Sequence, residues 1–197
     1  MSGASSRRKA SLNSVQQEEW VIVWDMNIEE QDKRLMERCI ELSETALAEG
    51  DAPFGSLVAR NGEIIAEAAN NARNKVTDHA EIMALNRAHE KLGTSDLTGC
   101  TLYTNCEPCP MCSFMIREFK ISRVVFALPS PYVGGYSKWP VLQDKEMEQF
   151  APFFAEPPEI RASVLEPQAK AVFDRTPMWM FGSDARSDQR ARNEKGL

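Results

Sequence analysis

The chain has 197 residues, a formal net charge of −6 and a hydrophobic fraction of 43%, which suits one compact domain with a sizeable core plus tails. The acidic balance disfavours a general nucleic-acid binder, because such proteins usually carry a basic surface. No apolar run is long enough to span a membrane, and the basic N-terminus lacks the apolar segment of a secretory signal. We therefore expect a cytoplasmic protein with no membrane partner, whose five cysteines serve thiol or metal chemistry rather than disulfides.

Changes in composition divide the chain into three parts. Residues 1–27 form a polar tail and then a segment with a short apolar run at 20–24, which we expect to dock on the domain. Residues 28–182 carry the periodic apolar patterns of a folded domain. Residues 183–197 are strongly charged, and we expect this tail to be disordered.

Apolar spacing and turn signals predict the helices and strands of the central part. Asn61-Gly62 is a strong hairpin signal between two short apolar runs. The predicted elements are a helix over 32–49, strands over 54–59 and 63–68, a helix opening at His79, a strand over 101–104, a short helix over 109–118, strands over 121–128 and 160–165, and a helix over 168–174. This order predicts a three-layer α/β/α sandwich on a mixed sheet.

A split signature carries the chemistry: His79-x-Glu81, and later Cys109-x-x-Cys112 directly after a proline. One imidazole and two thiolates supply three zinc ligands and leave the fourth tetrahedral position open for water, as in a catalytic zinc site. Both halves fall at predicted helix starts, where the helix dipole favours thiolates. Glu81 is surplus to the ligand count and is placed to move protons. We therefore predict Zn²⁺ held by His79, Cys109 and Cys112, with Glu81 as the catalytic acid and base.

Cys106 supports a rival interpretation, because it stands three residues before Cys109. A closed structural zinc site could use Cys106, Cys109, Cys112 and His79, which would make the chain a non-catalytic zinc module. We expect Pro108 to break the turn between Cys106 and Cys109, so that Cys106 ends the preceding strand as a buried thiol. The remaining residues of these types receive no chemical role: Cys39, Cys100 and His89.

These motifs resemble those of the cytidine deaminase-like superfamily, and within it the branch of guanine deaminases and tRNA adenosine deaminases. The resemblance runs from about residue 32 to residue 128 and includes Pro53-Phe54-Gly55, the strand end at Asn70, both metal motifs and Val124-Val125-Phe126. It implies a five-stranded sheet between helices and a homodimer or larger assembly. It also implies a substrate hydrogen bond from Asn70 and a hydrolysis that turns an amino-bearing ring carbon into a carbonyl.

Three departures from the family pattern leave the substrate open. The loop over 71–78 is shorter, Glu118 stands where guanine deaminases have an aromatic residue, and the loop over 131–139 lacks their acidic residue. Basic residues that could contact RNA are confined to a cluster at 7–9 and to scattered positions beyond 185. We predict a deaminase of a free purine nucleobase or nucleoside. The alternatives are a tRNA adenosine deaminase, then a cytosine-type deaminase, then the non-catalytic module.

A planar ring also needs apolar surface for stacking, and two aromatic segments could supply it. The Tyr132–Trp139 loop follows a central strand and combines glycines, which allow close approach and movement, with aromatic side chains. We predict that this loop is a lid and that Trp139 binds substrate. Trp179 and Phe181 stand near the C-terminus and either cover the pocket or cap the core.

Overall fold

The computed structural model describes residues 14–176, with side chains described from residue 27 onward. Its elements in chain order are α1 (Ser14–Ala48), β1 (Gly55–Arg60), β2 (Glu63–Ala69), α2 (Ala80–Leu92), β3 (Thr101–Cys106), α3 (Pro110–Glu118), β4 (Arg123–Leu128), two short 3₁₀ turns (Val141–Gln143 and Glu146–Phe150), β5 (Glu159–Arg161) and α4 (Glu166–Phe173). The chain divides into two compact units, residues 1–31 and 32–197, and the sheet lies in the second. Within the described range, no helix is long and apolar enough to cross a membrane.

The five strands form one mixed sheet in the order β2-β1-β3-β4-β5. β1 is antiparallel to β2 and to β3, whereas β3, β4 and β5 run parallel. The β1–β2 hairpin turns at Asn61 and Gly62, which have φ values of 52° and 79°, as tight hairpin turns require. Because β3 and β4 are parallel and pair up to Cys106 and Leu128, the segments that follow them leave the same edge of the sheet.

Alternating side chains give the sheet two apolar faces. Along β4, Val124 and Phe126 join a core that contains residues of α2 and α3. Val125 and Ala127 join a second core that contains residues of α1 and α4. The helices therefore cover both faces, which confirms the predicted three-layer α/β/α sandwich with a mixed five-stranded sheet.

The first helix is longer than the sequence pattern predicted. It begins at Ser14 rather than Asp32, so it includes part of the predicted tail and docking segment 1–27. The stretch between those two residues contains neither Gly nor Pro, so nothing in it stops a helix. The division into 1–27, 28–182 and 183–197 stays a prediction, and residues 183–197 lie outside the described range.

The last strand is shorter than predicted. It ends at Arg161 rather than Leu165, because Ser163 and Leu165 have φ values of 61° and 57°, and extended backbone cannot pass through such conformations. The final helix correspondingly begins at Glu166 instead of residue 168. A proline in its first turn is compatible with that earlier start, since no hydrogen bond from its nitrogen is needed there.

Candidate metal centre

The two halves of the metal signature lie at the starts of two helices. His79 is the N-cap residue of α2 and Cys109 is the N-cap residue of α3, and neither side chain bonds to its own helix backbone. Cys112 follows in the first turn of α3 and is fully buried. Pro110 occupies the start of α3, where its fixed φ favours a helix and its missing N–H costs nothing. The imidazole and both thiols are therefore left to face one another.

These three residues, here called the metal group, are spaced as zinc ligands. Their ligand atoms all lie within 4.8 Å of one another. The Nδ1 atom of His79 is 3.4 Å from the Cys112 sulfur and 3.7 Å from the Cys109 sulfur, and the two sulfurs are 3.6 Å apart. Ordinary bond lengths around a tetrahedral zinc separate two sulfur ligands by about 3.8 Å, and sulfur from nitrogen by about 3.6 Å. Both the donor set and its spacing fit zinc.

The two thiols of the metal group shift each other's protonation. The hydrogen bond with Cys112 lowers the pKa of Cys109 to about 4, against the effect of burial and with help from His79. The same contact, together with burial, raises the pKa of Cys112. The hydrogen bond to Cys109 also raises the pKa of His79. The metal group therefore stabilises the thiolate of Cys109. A bound metal cation would deprotonate the second thiol as well.

Glu81 lies in the first turn of α2, and its side chain is only 4% exposed. Burial raises the pKa of Glu81 to about 7, and the charge of Cys109 adds to the shift. A carboxyl group with a pKa near neutrality exchanges protons efficiently in both directions. Glu81 also raises the pKa of Cys112, which places its carboxyl group beside the metal group.

Cys106 lies outside the metal group. Within the described range, the only cluster that could hold a metal does not include it. The Cys106 side chain packs in the core on the α1 and α4 side, whereas α2 and α3, which carry the metal group, cover the opposite face. Burial raises the pKa of its thiol. This placement gives no support to a closed site with three cysteines.

The family comparison agrees with this geometry. Residues 29–128 match the family model described as the cytidine and deoxycytidylate deaminase zinc-binding region, and this range contains Glu81 and the whole metal group. The chain belongs to this deaminase family. Membership confirms the predicted superfamily and the zinc cofactor.

Relatives of this deaminase differ in their substrates. The tRNA-specific adenosine deaminase of Bacillus subtilis (strain 168) is 37% identical over 106 residues, 53% of this chain and 66% of that protein. The guanine deaminase of the same organism is 44% identical over 77 residues, 38% of this chain and 49% of that protein. A solved structure from a study of A-to-I editing by tRNA:A34 deaminases has a TM-score of 0.63 at 27% identity, covering 71% of this chain and 98% of that one. The chain thus spans just under two thirds of the first relative and about half of the second, and similarity does not fix its substrate.

Asn70 lies at the end of β2 in this deaminase and is 3% exposed. Its backbone N–H donates to the carbonyl oxygen of Phe54 at 2.9 Å, and its side-chain Nδ2 donates to Oδ1 of Asp51 at 2.8 Å. Its Oδ1 atom is buried and has no hydrogen-bond partner among the described residues. A cavity of about 220 Å³ is lined by Glu49, Asp51, Asn70, Asn71, Arg73 and Asn74.

Sequence patterns did not reveal Asn105, which supports the Asn70 side of the site. Its Oδ1 accepts a hydrogen bond from the Gly55 N–H, and its Nδ2 donates to the carbonyl oxygen of Pro53, both at 2.9 Å. Asn105 therefore ties the 53–55 segment, which in turn binds the Asn70 backbone, to the end of β3. The only sequence signal is the position of Asn105 directly after the predicted strand over 101–104.

Glu107 is a second residue that the sequence patterns missed, although it stands inside the metal signature. Its carboxylate is 4% exposed and accepts hydrogen bonds of 2.7–3.0 Å from the backbone N–H groups of Ser130, Tyr136 and Ser137 and from the Ser137 hydroxyl. A Cβ atom at Gly134 would overlap this carboxylate. Gly134 of the predicted lid therefore lets the loop backbone approach the Glu107 carboxylate closely. These hydrogen bonds hold the loop against the segment that carries Cys109.

Trp139 lies apart from the other predicted site residues. It is 47% exposed and lines a separate recess of about 380 Å³ with Pro140, Val141, Gln143 and Asp144. Neither the metal group nor Asn70 shares that lining, so substrate binding by Trp139 stays a prediction. Trp179 and Phe181 lie outside the described residues.

Proposed function

We propose that this deaminase hydrolyses the ring-bound amino group of a free purine nucleobase or nucleoside and releases ammonia. The observation that carries the reaction type is the convergence of His79, Cys109 and Cys112 with Glu81 buried beside them. Three protein ligands leave one tetrahedral position for a reactant, as in other catalytic zinc sites.

Each residue of the site has a role in this proposal. His79, Cys109 and Cys112 would hold zinc, which when bound lowers the pKa of water to about 7 and so supplies a nucleophile at neutral pH. Glu81 takes up the proton released when water adds to the amino-bearing ring carbon, and it returns a proton to the departing nitrogen. The C–N bond breaks, ammonia leaves and a carbonyl remains. Asn70 contributes a hydrogen bond that orients the substrate.

A purine of low molecular weight is supported by the names of the relatives and by charge. The two relatives named above act on adenosine in tRNA and on guanine, so both substrates are purines. The chain carries a net charge of −6, and the cavity at Asn70 presents Glu49 and Asp51 against one cation, Arg73. Such a surface attracts a nucleic-acid backbone poorly, because phosphate contacts rely on basic side chains.

A tRNA adenosine deaminase is the second candidate. Its support is the 37% identity to such an enzyme over 106 residues and the structural match to a tRNA:A34 deaminase over 98% of that chain. In this case the target base would be presented unstacked from its RNA.

Ammonia release from the zinc-loaded protein separates these candidates. We expect release with guanine, adenine or their nucleosides, and none with cytosine or with a tRNA anticodon stem-loop. Glu81→Gln should abolish release, whereas Asp96→Asn, at an exposed carboxylate paired with Lys120, is the matched control and should retain it. Release from the stem-loop alone would favour the second candidate. A fully zinc-loaded protein that releases no ammonia from any of these compounds would contradict the deaminase proposal.

We also propose that the deaminase forms a homodimer. Met111 and Phe114 on α3 are 37% and 46% exposed, and Phe114 packs edge-on against Phe154. Exposed apolar side chains grouped in this way support an interface. Light scattering of the wild type should give the mass of two chains, and Phe114→Glu should give that of one. A monomeric wild type would contradict this part of the proposal.

A further inference from the structure

The two polar ends of the Asn70 side chain have opposite surroundings. The side chain is almost fully buried, and its Nδ2 donates to Asp51 at 2.8 Å. Its Oδ1 has no partner within the part of the chain that the structure describes. A buried polar atom without a partner is costly, and native proteins keep few of them. The unpaired oxygen therefore marks a place where another molecule completes the hydrogen bonding.

Asp51 decides which end of the amide is left unpaired. A carboxylate only accepts hydrogen bonds, whereas an amide has one donating and one accepting end. Asp51 Oδ1 accepts from Asn70 and from the Ala52 N–H, and Oδ2 accepts from the Arg73 N–H, at 2.7–2.8 Å. Burial opposes ionisation, but the hydrogen bonds from Arg73, Ala52 and Asn70 together lower the pKa of Asp51 below its ordinary value. An ionised Asp51 can only face the Nδ2 end of Asn70.

We propose that Asp51 is a positioning residue that locks the amide of Asn70 with its oxygen outward, so that the site selects substrates that offer a hydrogen-bond donor there. The proposal rests on the proposed function for its substrate and goes beyond it by assigning Asp51 and the polarity of the contact. A donor of this kind is a ring N–H of a free base or a sugar hydroxyl of a nucleoside.

The position of Asp51 suits this role. The charge of Asp51 is one of the groups that raise the pKa of His79, after the hydrogen bond to Cys109 and the charges of Glu81 and Cys109, so Asp51 lies within electrostatic reach of the metal group. Asp51 and Asn70 line the same cavity. The Asn70 backbone is fixed through Phe54, so only the side-chain amide can rotate when Asp51 is changed.

A purely structural role is the competing explanation, because Asp51 also holds the Arg73 N–H at the start of the 71–78 loop. A double-mutant cycle separates the two roles. If Asp51 acts through Asn70, Asp51→Ala, which removes the acceptor, and Asn70→Ala should each raise KM about tenfold, the effect of one buried hydrogen bond, and the double variant should be no worse than Asn70→Ala. If the two substitutions raise KM additively in the double variant, Asp51 acts only by holding the 71–78 loop and not through Asn70.

The donor is identified with substrate analogues. The probes are the 7-methyl and 9-methyl derivatives of the base that is turned over, or the 2′-deoxy and 3′-deoxy forms of its nucleoside. One of these changes should raise KM about tenfold in the wild type and leave KM unchanged in Asn70→Ala. If every analogue has the same effect in both proteins, Asn70 does not select a donor and the proposal is wrong.

The orientation of the amide can be measured without turnover. The side-chain NH₂ signals of Asn70, assigned by their loss in Asn70→Ala, should show slowed hydrogen exchange in the wild type because they bond to Asp51. Asp51→Ala, which removes the acceptor, should remove that protection, whereas Asp96→Asn should not. Protected signals in a protein that deaminates nothing would overturn the proposed function and leave the orientation standing. Signals that do not respond to Asp51→Ala would overturn this inference.

Discussion

The metal group and the Asn70 side of the site are built in different ways. The metal group comes from the first residues of two helices, so its spacing follows from short local motifs. The Asn70 side joins distant segments through single hydrogen bonds, from Asp51 to Asn70 and from Asn105 to the 53–55 segment. Under the proposed function, the metal chemistry therefore depends on local sequence, and substrate choice depends on tertiary hydrogen bonds between loops. Changes in the first region should stop the reaction, and changes in the second should alter which molecules bind.

The largest effect should follow removal of a metal ligand. Cys109→Ser or Cys112→Ser should lose zinc and all activity, because a hydroxyl is a much poorer zinc ligand than a thiolate. Metal analysis of the purified variants measures this. Cys106→Ser is the control and should retain zinc, although placing a hydroxyl in an apolar core should cost about 1–3 kcal/mol of stability. Loss of zinc in Cys106→Ser would instead support a closed site with three cysteines.

Glu81→Gln should have the next largest effect. The amide keeps the size of the side chain but cannot exchange protons, so kcat should fall by a factor on the order of 10²–10⁴. Zinc content and melting temperature should stay near those of the wild type, since Glu81 is not needed as a ligand. Glu118→Gln, at an exposed carboxylate in the last turn of α3, should change neither kcat nor zinc content. A Glu81→Gln variant as active as the wild type would remove Glu81 from the mechanism.

Glu107→Gln tests the link between the two regions. The amide NH₂ would face backbone N–H groups that now donate to a carboxylate, leaving buried donors unpaired. We expect a loss of about 3 kcal/mol in the free energy of unfolding, because hydrogen bonds to charged groups are worth about 1.5–3 kcal/mol each. Urea denaturation measures this loss. Ser137→Ala removes only the hydroxyl, which contacts Glu107 and the Ser130 carbonyl oxygen, and should cost about 1 kcal/mol. Equal losses in the two variants would mean that the backbone hydrogen bonds to Glu107 contribute little.

Trp139→Ala tests whether the aromatic loop belongs to the substrate side. Because Trp139 is 47% exposed, its removal should lower the melting temperature little. If it stacks on the substrate, KM should rise about tenfold, since stacking of an aromatic side chain on a base is worth about 1–3 kcal/mol. Phe150→Ala, at another exposed aromatic residue, is the control and should leave KM unchanged. A variant that melts early yet binds normally would make Trp139 a packing residue.

The same contrast explains what the sequence could predict. His79, Cys109 and Cys112 were predicted because helix starts and motif spacing are local properties, and the Asn61-Gly62 turn identified the hairpin for the same reason. Asp51 escaped detection because its partner Asn70 stands 19 positions away, and Glu107 because its partners stand 23–30 positions away. The predicted end of β5 at Leu165 was wrong, because Ser163 and Leu165 adopt positive φ angles. Neither residue is a glycine, so the sequence carried no signal for this backbone conformation.

The smallest effect concerns the ion pair of Arg38 and Glu67. This pair lies outside the metal group and the Asn70 side of the site, so its loss should affect stability and not activity. Arg38 donates to both carboxylate oxygens of Glu67, at 2.6 and 2.9 Å, and links α1 to β2. The hydrogen bond from Arg38 lowers the pKa of Glu67, and partial burial opposes this. A carboxyl group with a lowered pKa in the folded state adds stability above its unfolded pKa of about 4.3, and this stability disappears as pH falls through the folded value.

We therefore expect Glu67→Gln to unfold more easily than the wild type at pH 7 and to lose less stability on acidification. The difference should stay below about 1 kcal/mol, because the Glu67 side chain is 33% exposed and solvent screens such pairs. Denaturation midpoints from pH 7 to pH 3, with and without added salt, measure it. The difference should shrink with salt and towards pH 3, while zinc content and KM stay unchanged. A change in KM would show that α1 and β2 also shape the Asn70 side of the site, because Asn70 directly follows β2.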